Sequence, residues 1–395
     1  MKRSGTANLP LHYGYVPKWL SERMKKLGSL ITLAIIESHG RDEFLRRISD
    51  PFWFQAFGAT LGMDWHSSGI TTSVMGALKA GLNPLSKETG LYICGGRGAH
   101  SRKTPEEITD FALLKGIEGD ELVRCSRLSA KIDNTCIQDG YQLYLHNFIL
   151  TEDGKWAVVQ QGMNQNNAMA RRYHWHSENL KSFTDDPHSA IIGKNEGEIL
   201  NLSDSRAERS RESIMDFLSL HPDKQISEIE LILKSPTVNM PRHHDVRSEN
   251  INTKRLGAVL AVAYHKGFKE FTDALLLEGF GPRTVQALAL VAEIIYGAPS
   301  RFQDPARFSF AHGGKDGHPA PVPLKTYDES IYMLKDAVRK AKLGNRDQLE
   351  ALRKLDRLTR VVEDTCSPEI DFERLIKHEK EISPSLDGRT VFDKK

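Results

Sequence analysis

The feature that most limits the fold of this chain is a pair of apolar segments in its middle third. Residues Tyr141–Leu150 and Lys155–Met163 are rich in aromatic and β-branched side chains, which favour extended backbone. The four residues between them end in Asp153 and Gly154, and Asp-Gly is a preferred pair at the tip of a β-hairpin. The sequence therefore predicts two antiparallel strands joined by a tight turn.

The chain on either side of this β-hairpin shows helical spacing of apolar residues, over 17–83 and again over 256–296. We therefore expect an α+β fold, in which helical N-terminal and C-terminal regions surround a central domain that contains the β-hairpin. The predicted division is a helical region over 1–88, a mixed α/β domain over 89–200, a helical domain over 201–300, and a loop with a basic helix over 301–395.

A second pattern predicts two helices joined by a short glycine turn, from Phe271 to Tyr296. Pro282 suits the first position of the second helix, where no N–H is needed, and glycine permits positive φ and close approach of another backbone. The start of that helix offers free N–H groups and the positive end of its dipole to a phosphate. The alternative is a plain helical corner. The residues predicted to bind a nucleic-acid backbone are Gly279, Gly281, Arg283 and Thr284.

The loop Phe308–Pro323 places two histidines and an aspartate within seven residues, among glycines and prolines. Such a cluster can hold a divalent metal or provide a general base beside a phosphate. The alternative is a rigid turn with hydrogen-bonded histidines. The candidate catalytic residues of this loop are His312, Asp316 and His318, with Asp316 also a candidate metal ligand.

The β-hairpin region supplies a second set of candidates. Asp139 precedes the first strand, and Gln160 and Gln161 lie toward the end of the second. An acidic residue followed by polar groups on the next strand loosely resembles the metal-binding core of restriction-type nucleases, although glutamines stand near the place of its carboxylate-x-lysine motif. We predict a catalytic role for Asp139, Gln160 and Gln161, with Asp139 as metal ligand. Beyond the second strand, Arg171, Arg172 and Tyr173 are predicted to contact phosphates and unpaired bases.

Five segments together resemble one prokaryotic family, domain-of-unknown-function family seven-six-three. They read CGGRGAHSRKTPEE, QDGYQLYLHNFIL, WAVVQQGMNQ, ARRYHW and DPARFSFAHGGKDGHP, and the resemblance spans nearly the whole chain. It implies no established mechanism. The separate string LLLEGFGPRTVQALALV resembles the helix-hairpin-helix motif, which binds DNA backbone. Its occurrence beside the other segments favours a DNA role.

These observations predict a metal-dependent DNA nuclease of repair or processing, with little sequence specificity and with Mn²⁺ or Mg²⁺ as cofactor. The first alternative is a base-excision glycosylase, because LEGFGPRTV resembles the hairpin of those enzymes and Asp304 follows where they place a catalytic aspartate. Arg283, however, stands where bifunctional members of that group have a lysine. The second alternative is a non-catalytic, structure-specific DNA-binding protein.

Composition adds few constraints. The net charge is only +2, whereas residues 335–360 hold nine Lys/Arg against four Asp/Glu, which fits either phosphate contact or a solvated helix with pairs such as Glu350–Lys354. The Gly-rich loop 95–102 lacks the nucleotide-binding pattern GxxxxGK[ST]. Scattered cysteines, the missing apolar leader and the lack of a long apolar run predict a cytoplasmic protein without membrane contact. Homodimer formation is left open.

Overall fold

An antiparallel sheet of six strands lies in the middle of the fold. The computed structural model describes residues 9–10, 18–63, 68–166, 168–234, 253–306, 324–341, 347–348 and 350–356. Spatially the strands run in the order β1-β5-β4-β3-β2, and β6 also pairs with β5. The strands are β1 (Leu9–Pro10), β2 (Leu91–Arg97), β3 (Gln142–Thr151), β4 (Trp156–Asn164), β5 (Met169–His176) and β6 (Ala190–Ile192).

β3 and β4 form the predicted β-hairpin. Leu150 pairs with Trp156, and the turn between them contains Gly154 at a φ of 82°. This left-handed backbone is the conformation for which glycine is favoured. The prediction of a tight turn at this place is confirmed.

Both faces of the sheet are buried, which explains why its strands carry nearly continuous apolar runs. Cys94, Phe148 and Val158 belong to one hydrophobic core, and their chain neighbours Ile93 and Ile149 belong to another. Because side chains alternate across a strand, adjacent residues enter opposite cores. The sheet therefore has a helical layer on each side, in agreement with the predicted α+β class.

The first helical layer comes mostly from the N-terminal region and packs with Ile93 and Ile149. The described residues between 18 and 83 are mostly helical, as predicted. Helix α13 (Leu324–Lys340) joins this layer through Leu334 and Val338, so the N-terminal helices and a helix from near the C-terminal end share a core. The helices of this first layer are α1 (Lys18–His39), α2 (Arg41–Ile48), α3 (Pro51–Leu61), α4 (Gly69–Leu82) and α13 (Leu324–Lys340). The short helix α5 (Ser86–Thr89) follows α4.

The second layer packs with Phe148 and Val158. Its helices are α6 (Thr104–Lys115), α7 (Gly119–Lys131), α8 (Glu208–Leu218), α9 (Pro222–Lys234), α10 (Thr253–Lys266), α11 (Phe271–Leu275) and α12 (Pro282–Tyr296). None of the helices in the described ranges has the length and apolar character needed to cross a membrane.

The hydrophobic core between the sheet and the second helical layer, which we call the second core, contains residues from both sides of the predicted domain limit at residue 200, such as Trp156 and Leu288. The polar stretch 185–212 supplies strand β6 and the buried side chains of Ile191 and Leu202. Its apolar residues stand among polar ones and so give no periodic signal. The predicted domain limits stay a prediction.

Candidate nucleic-acid interface

Helices α11 and α12 meet at a turn that a buried aromatic residue holds in place. Phe280 lies between the two glycines and is fully buried in the second core, together with Val285 and Leu288 of α12. α12 begins at Pro282, and its first backbone hydrogen bond runs from Val285 N to Gly281 O at 3.0 Å. The amides of Arg283 and Thr284 precede that bond, so they have no acceptor within the helix.

The two glycines of the turn differ in conformation. Gly279 has a φ of 84°, as predicted, and a Cβ there would lie 2.8 Å from Cγ2 of Val259. Gly281 has a φ of −109°, so the prediction of positive φ at this residue is wrong. A Cβ on Gly281 would meet nothing nearer than the oxygen of Gly279 at 4.0 Å. Gly279 is thus required by the backbone, whereas Gly281 leaves space in front of α12.

The turn is anchored to the end of α7 and to the segment that leads into β3. Lys131 Nζ donates to Phe280 O at 2.9 Å, and Gln138 Nε2 donates to Pro282 O at 2.8 Å. Burial lowers the pKa of Lys131. No sequence pattern pointed to Lys131 and Gln138, because they are 149 and 144 residues away from their partners and reach the turn only through helix packing. Lys131 places a cationic side chain directly beside the predicted phosphate site.

The predicted binding side chains of the turn lie in different environments. Arg283 is exposed, and its guanidinium donates to Gln286 Oε1 at 3.1 Å. Thr284 is 8% exposed, and its hydroxyl donates to Gly279 O at 3.3 Å. Of these two side chains, Arg283 is therefore the one that reaches solvent, while Thr284 stabilises the turn and offers its backbone amide.

Asp139 lies in a buried ion cluster. Its carboxylate accepts from Arg171 Nη1 at 2.8 Å and from Tyr173 Oη at 2.6 Å, while Tyr141 N donates to it at 2.9 Å. The same Arg171 guanidinium pairs with Asp304 at 2.7 Å, so two carboxylates share one cation. Arg171 and Tyr173 thus interact with this cluster inside the fold, and Asp304, the aspartate of the glycosylase alternative, belongs to it.

Burial raises the pKa of Asp139 to about 6, with a further contribution from Asp304, against the lowering effects of Arg171 and Tyr173. A carboxyl group with a raised folded-state pKa binds its proton more tightly in the folded state than in the unfolded state. Its contribution to stability is therefore lost as the pH rises from about 4 to about 6.

We expect Asp139→Asn to remove this pH dependence. The difference in unfolding free energy, variant minus parent, should rise by up to about 3 kcal/mol between pH 4 and pH 7. Urea unfolding at several pH values measures this difference. A difference that stays constant across the range would contradict the assignment of this titration to Asp139.

Arg172 and Tyr173, the other predicted contacts of β5, are also fully buried. The Arg172 guanidinium lies 4.4 Å from the centre of the Phe54 ring and donates to Gln55 Oε1 at 3.1 Å. Burial lowers the pKa of Arg172 to about 9. All three β5 side chains therefore face the interior of the fold.

The predicted glutamines of β4 take part in buried polar contacts. Gln160 Nε2 donates to Asp133, and its Oε1 accepts from His146 Nδ1 at 2.7 Å. His146 Nε2 then accepts from the Ser126 hydroxyl at 2.8 Å, a tautomer that we infer from the network. Gln161 Nε2 donates to Ser68 O at 3.1 Å and to Tyr144 Oη. These contacts join β4 to α7 and to the start of α4.

Within the described ranges, no group of three or more His, Cys, Asp or Glu side chains is arranged to hold a metal ion. His312, Asp316 and His318 lie outside those ranges. The basic segment 335–360 is described in part, and there Lys354 pairs with Glu350 at 3.2 Å and Lys340 with Asp336 at 2.8 Å. The predicted i,i+4 pair Glu350–Lys354 is thus present.

The comparisons with known proteins give one match. The family model described as "Protein of unknown function (DUF763)" matches residues 5–322, a range that includes the sheet and the α11–α12 turn. No curated protein and no solved structure matches the chain.

Proposed function

The chain belongs to the DUF763 family of proteins of unknown function, and on that premise we propose that it binds DNA through the phosphate backbone, without strong sequence preference. The observation that carries this proposal is the open space at Gly281 in front of the first turn of α12, beside exposed Arg283. A phosphate oxygen placed there meets backbone amides, the positive end of the helix dipole and a guanidinium.

The chemistry of the turn supports backbone contact over base reading. Its tip consists of Gly279, Phe280, Gly281 and Pro282, and Phe280 is directed into the core. Glycine and proline offer no side-chain groups for base edges, and contacts to phosphate carry no direct sequence information. Lys131 adds positive charge next to the tip.

We expect Arg283→Ala to weaken binding to every duplex alike and to reduce the slope of log K against log salt by about one unit. Fluorescence anisotropy with two duplexes of unrelated sequence measures both effects. Arg209→Ala is the matched control. Arg209 is exposed, and its neighbour Ser210 contacts Ser300, beyond the C-terminal end of α12.

Gly281→Val tests the same site by filling the space in front of α12. The extended backbone conformation of Gly281 is one that any residue can adopt, so the variant should keep its melting temperature. The added side chain should block the approach of a phosphate. Gly279→Val, in contrast, should destabilise the fold. Unchanged DNA affinity in a folded Gly281→Val protein would contradict the proposed site.

Catalysis stays a prediction from the sequence, together with a role in DNA repair or processing and a cytoplasmic location. A cleavage assay on single-stranded, duplex and branched DNA, with Mn²⁺, Mg²⁺ or a chelator, separates the alternatives. Metal-dependent cutting of undamaged DNA supports the nuclease. Base release without metal supports the glycosylase, and binding alone supports the non-catalytic protein.

A further inference from the structure

A second basic surface lies at the end of strand β2. The segment from Arg97 to Lys103 contains three Lys/Arg and one histidine, and no acidic residue. The side chains of Arg97, His100, Arg102 and Lys103 are exposed. We call this segment the basic loop.

The two residues before the basic loop are held in place by their backbone conformation and by hydrogen bonds. Gly95 and Gly96 have φ values of 86° and 141°, and a Cβ on Gly95 would lie 2.2 Å from His146 O. Glu107 accepts from Gly95 N at 2.5 Å and from Lys79 Nζ at 2.7 Å. Glu107 is therefore neutralised by Lys79, whereas Glu106, the other acid in the first turn of α6, is exposed.

The basic loop and the α11–α12 turn lie at the same end of the sheet. Arg97 pairs with Leu145, near the start of β3. Gln138, four residues before β3, contacts Pro282 of the turn. The opposite end of β2 is Leu91, about 20 Å away at the usual rise of a strand.

A chain of contacts connects the two basic surfaces. Thr104, which follows the loop, and the backbone carbonyl of His146 both lie beside Gly95, and the His146 side chain bonds to Ser126 of α7. Lys131 is five residues further along α7, a rise of about 7.5 Å, and its ammonium contacts the turn. Exposed Arg127 lies on α7 between these two points.

We propose that the basic loop is a second contact for the phosphate backbone, so that one DNA molecule is held at two places, at the α11–α12 turn and at residues 97–103. This inference rests on the proposed function. The two places are separate surfaces at one end of the sheet, connected through β3 and α7. The ligand is therefore a continuous stretch of DNA rather than an isolated nucleotide.

The test compares Arg102→Ala/Lys103→Ala with Lys87→Ala/Lys181→Ala on a 30-base-pair duplex, a length on the order of 100 Å at the usual rise per base pair. All four side chains are exposed, so the change in charge is the same. Lys87 precedes β2 and Lys181 follows β5, both toward the opposite end of the sheet. Arg97 is left unchanged because it lies over the Tyr144 ring.

We expect the loop variant to bind about tenfold more weakly or worse near 0.1 M salt, with a salt slope reduced by about two units, while the control pair matches the parent. Combining it with Arg283→Ala should reduce the slope by about three units. Thermal melting confirms that each variant is folded.

The outcomes separate the two claims. If Arg283→Ala weakens binding and the loop variant equals its control, this inference is overturned and the proposed function stands. If neither variant changes affinity, both are overturned. If the loop variant weakens binding and Arg283→Ala does not, the α11–α12 turn is not a contact and the two-place arrangement is overturned.

Discussion

Replacing Arg171 with methionine is expected to lower the free energy of unfolding by about 3–5 kcal/mol, because Asp139 and Asp304 then stay buried without their shared cation. Both carboxylates and the guanidinium are almost completely inaccessible to solvent. The cluster connects β5 to residue 304, which lies beyond α12. Its loss therefore affects the sheet and the segment that follows the proposed DNA site.

The loss of unfolding free energy in the Arg171→Met variant should be smaller at low pH. Burial raises the pKa of Asp139 to about 6, so at pH 5 this carboxyl is mostly protonated and no longer carries an uncompensated charge. The loss at pH 5 should therefore be smaller than at pH 8. Urea unfolding at both values measures it. Arg206→Met is the control, since Arg206 pairs with Asp204 at 2.7 Å but is 43% exposed, and such pairs contribute less than about 1 kcal/mol. Equal effects of the two substitutions would contradict the structural role of Arg171.

The elements of the fold could be predicted where local chemistry decides them. The β3–β4 turn depends on Asp153 and Gly154, and the start of α12 depends on Pro282, so both followed from short patterns. The two-sided burial of the sheet depends on helices from both ends of the chain. No local sequence pattern predicts that Leu334 of α13 packs in the same core as Ile149.

The same limit applies to the candidate sites. Charged residues such as Arg171 and Arg172 suggest exposure, but a strand covered on both faces buries them, and their partners Asp304 and Gln55 are distant in sequence. Conversely, the Gly-rich loop 95–102 carries no sequence motif beyond its lack of the nucleotide-binding pattern. Its position at the same end of the sheet as the α11–α12 turn depends on the pairing of β2 with β3 and on the contact between Gln138 and Pro282.

The affinity for duplex DNA is expected to fall about 40- to 500-fold when monovalent salt rises from about 50 to about 200 mM. Three to five phosphate contacts predict a slope of about −2.7 to −4.5 in log K against log salt, and the salt concentration rises fourfold. The residues that we propose for these contacts are Arg283, Lys131, Arg97, Arg102 and Lys103.

The net charge of +2 makes this prediction informative. A protein with so little overall charge has weak long-range attraction to DNA, so a steep slope must come from a local concentration of basic side chains. Anisotropy titrations at four salt concentrations, with two unrelated duplexes, provide the slope and the sequence dependence together. A slope shallower than about −1, or a tenfold preference between the duplexes, would contradict backbone binding by these surfaces.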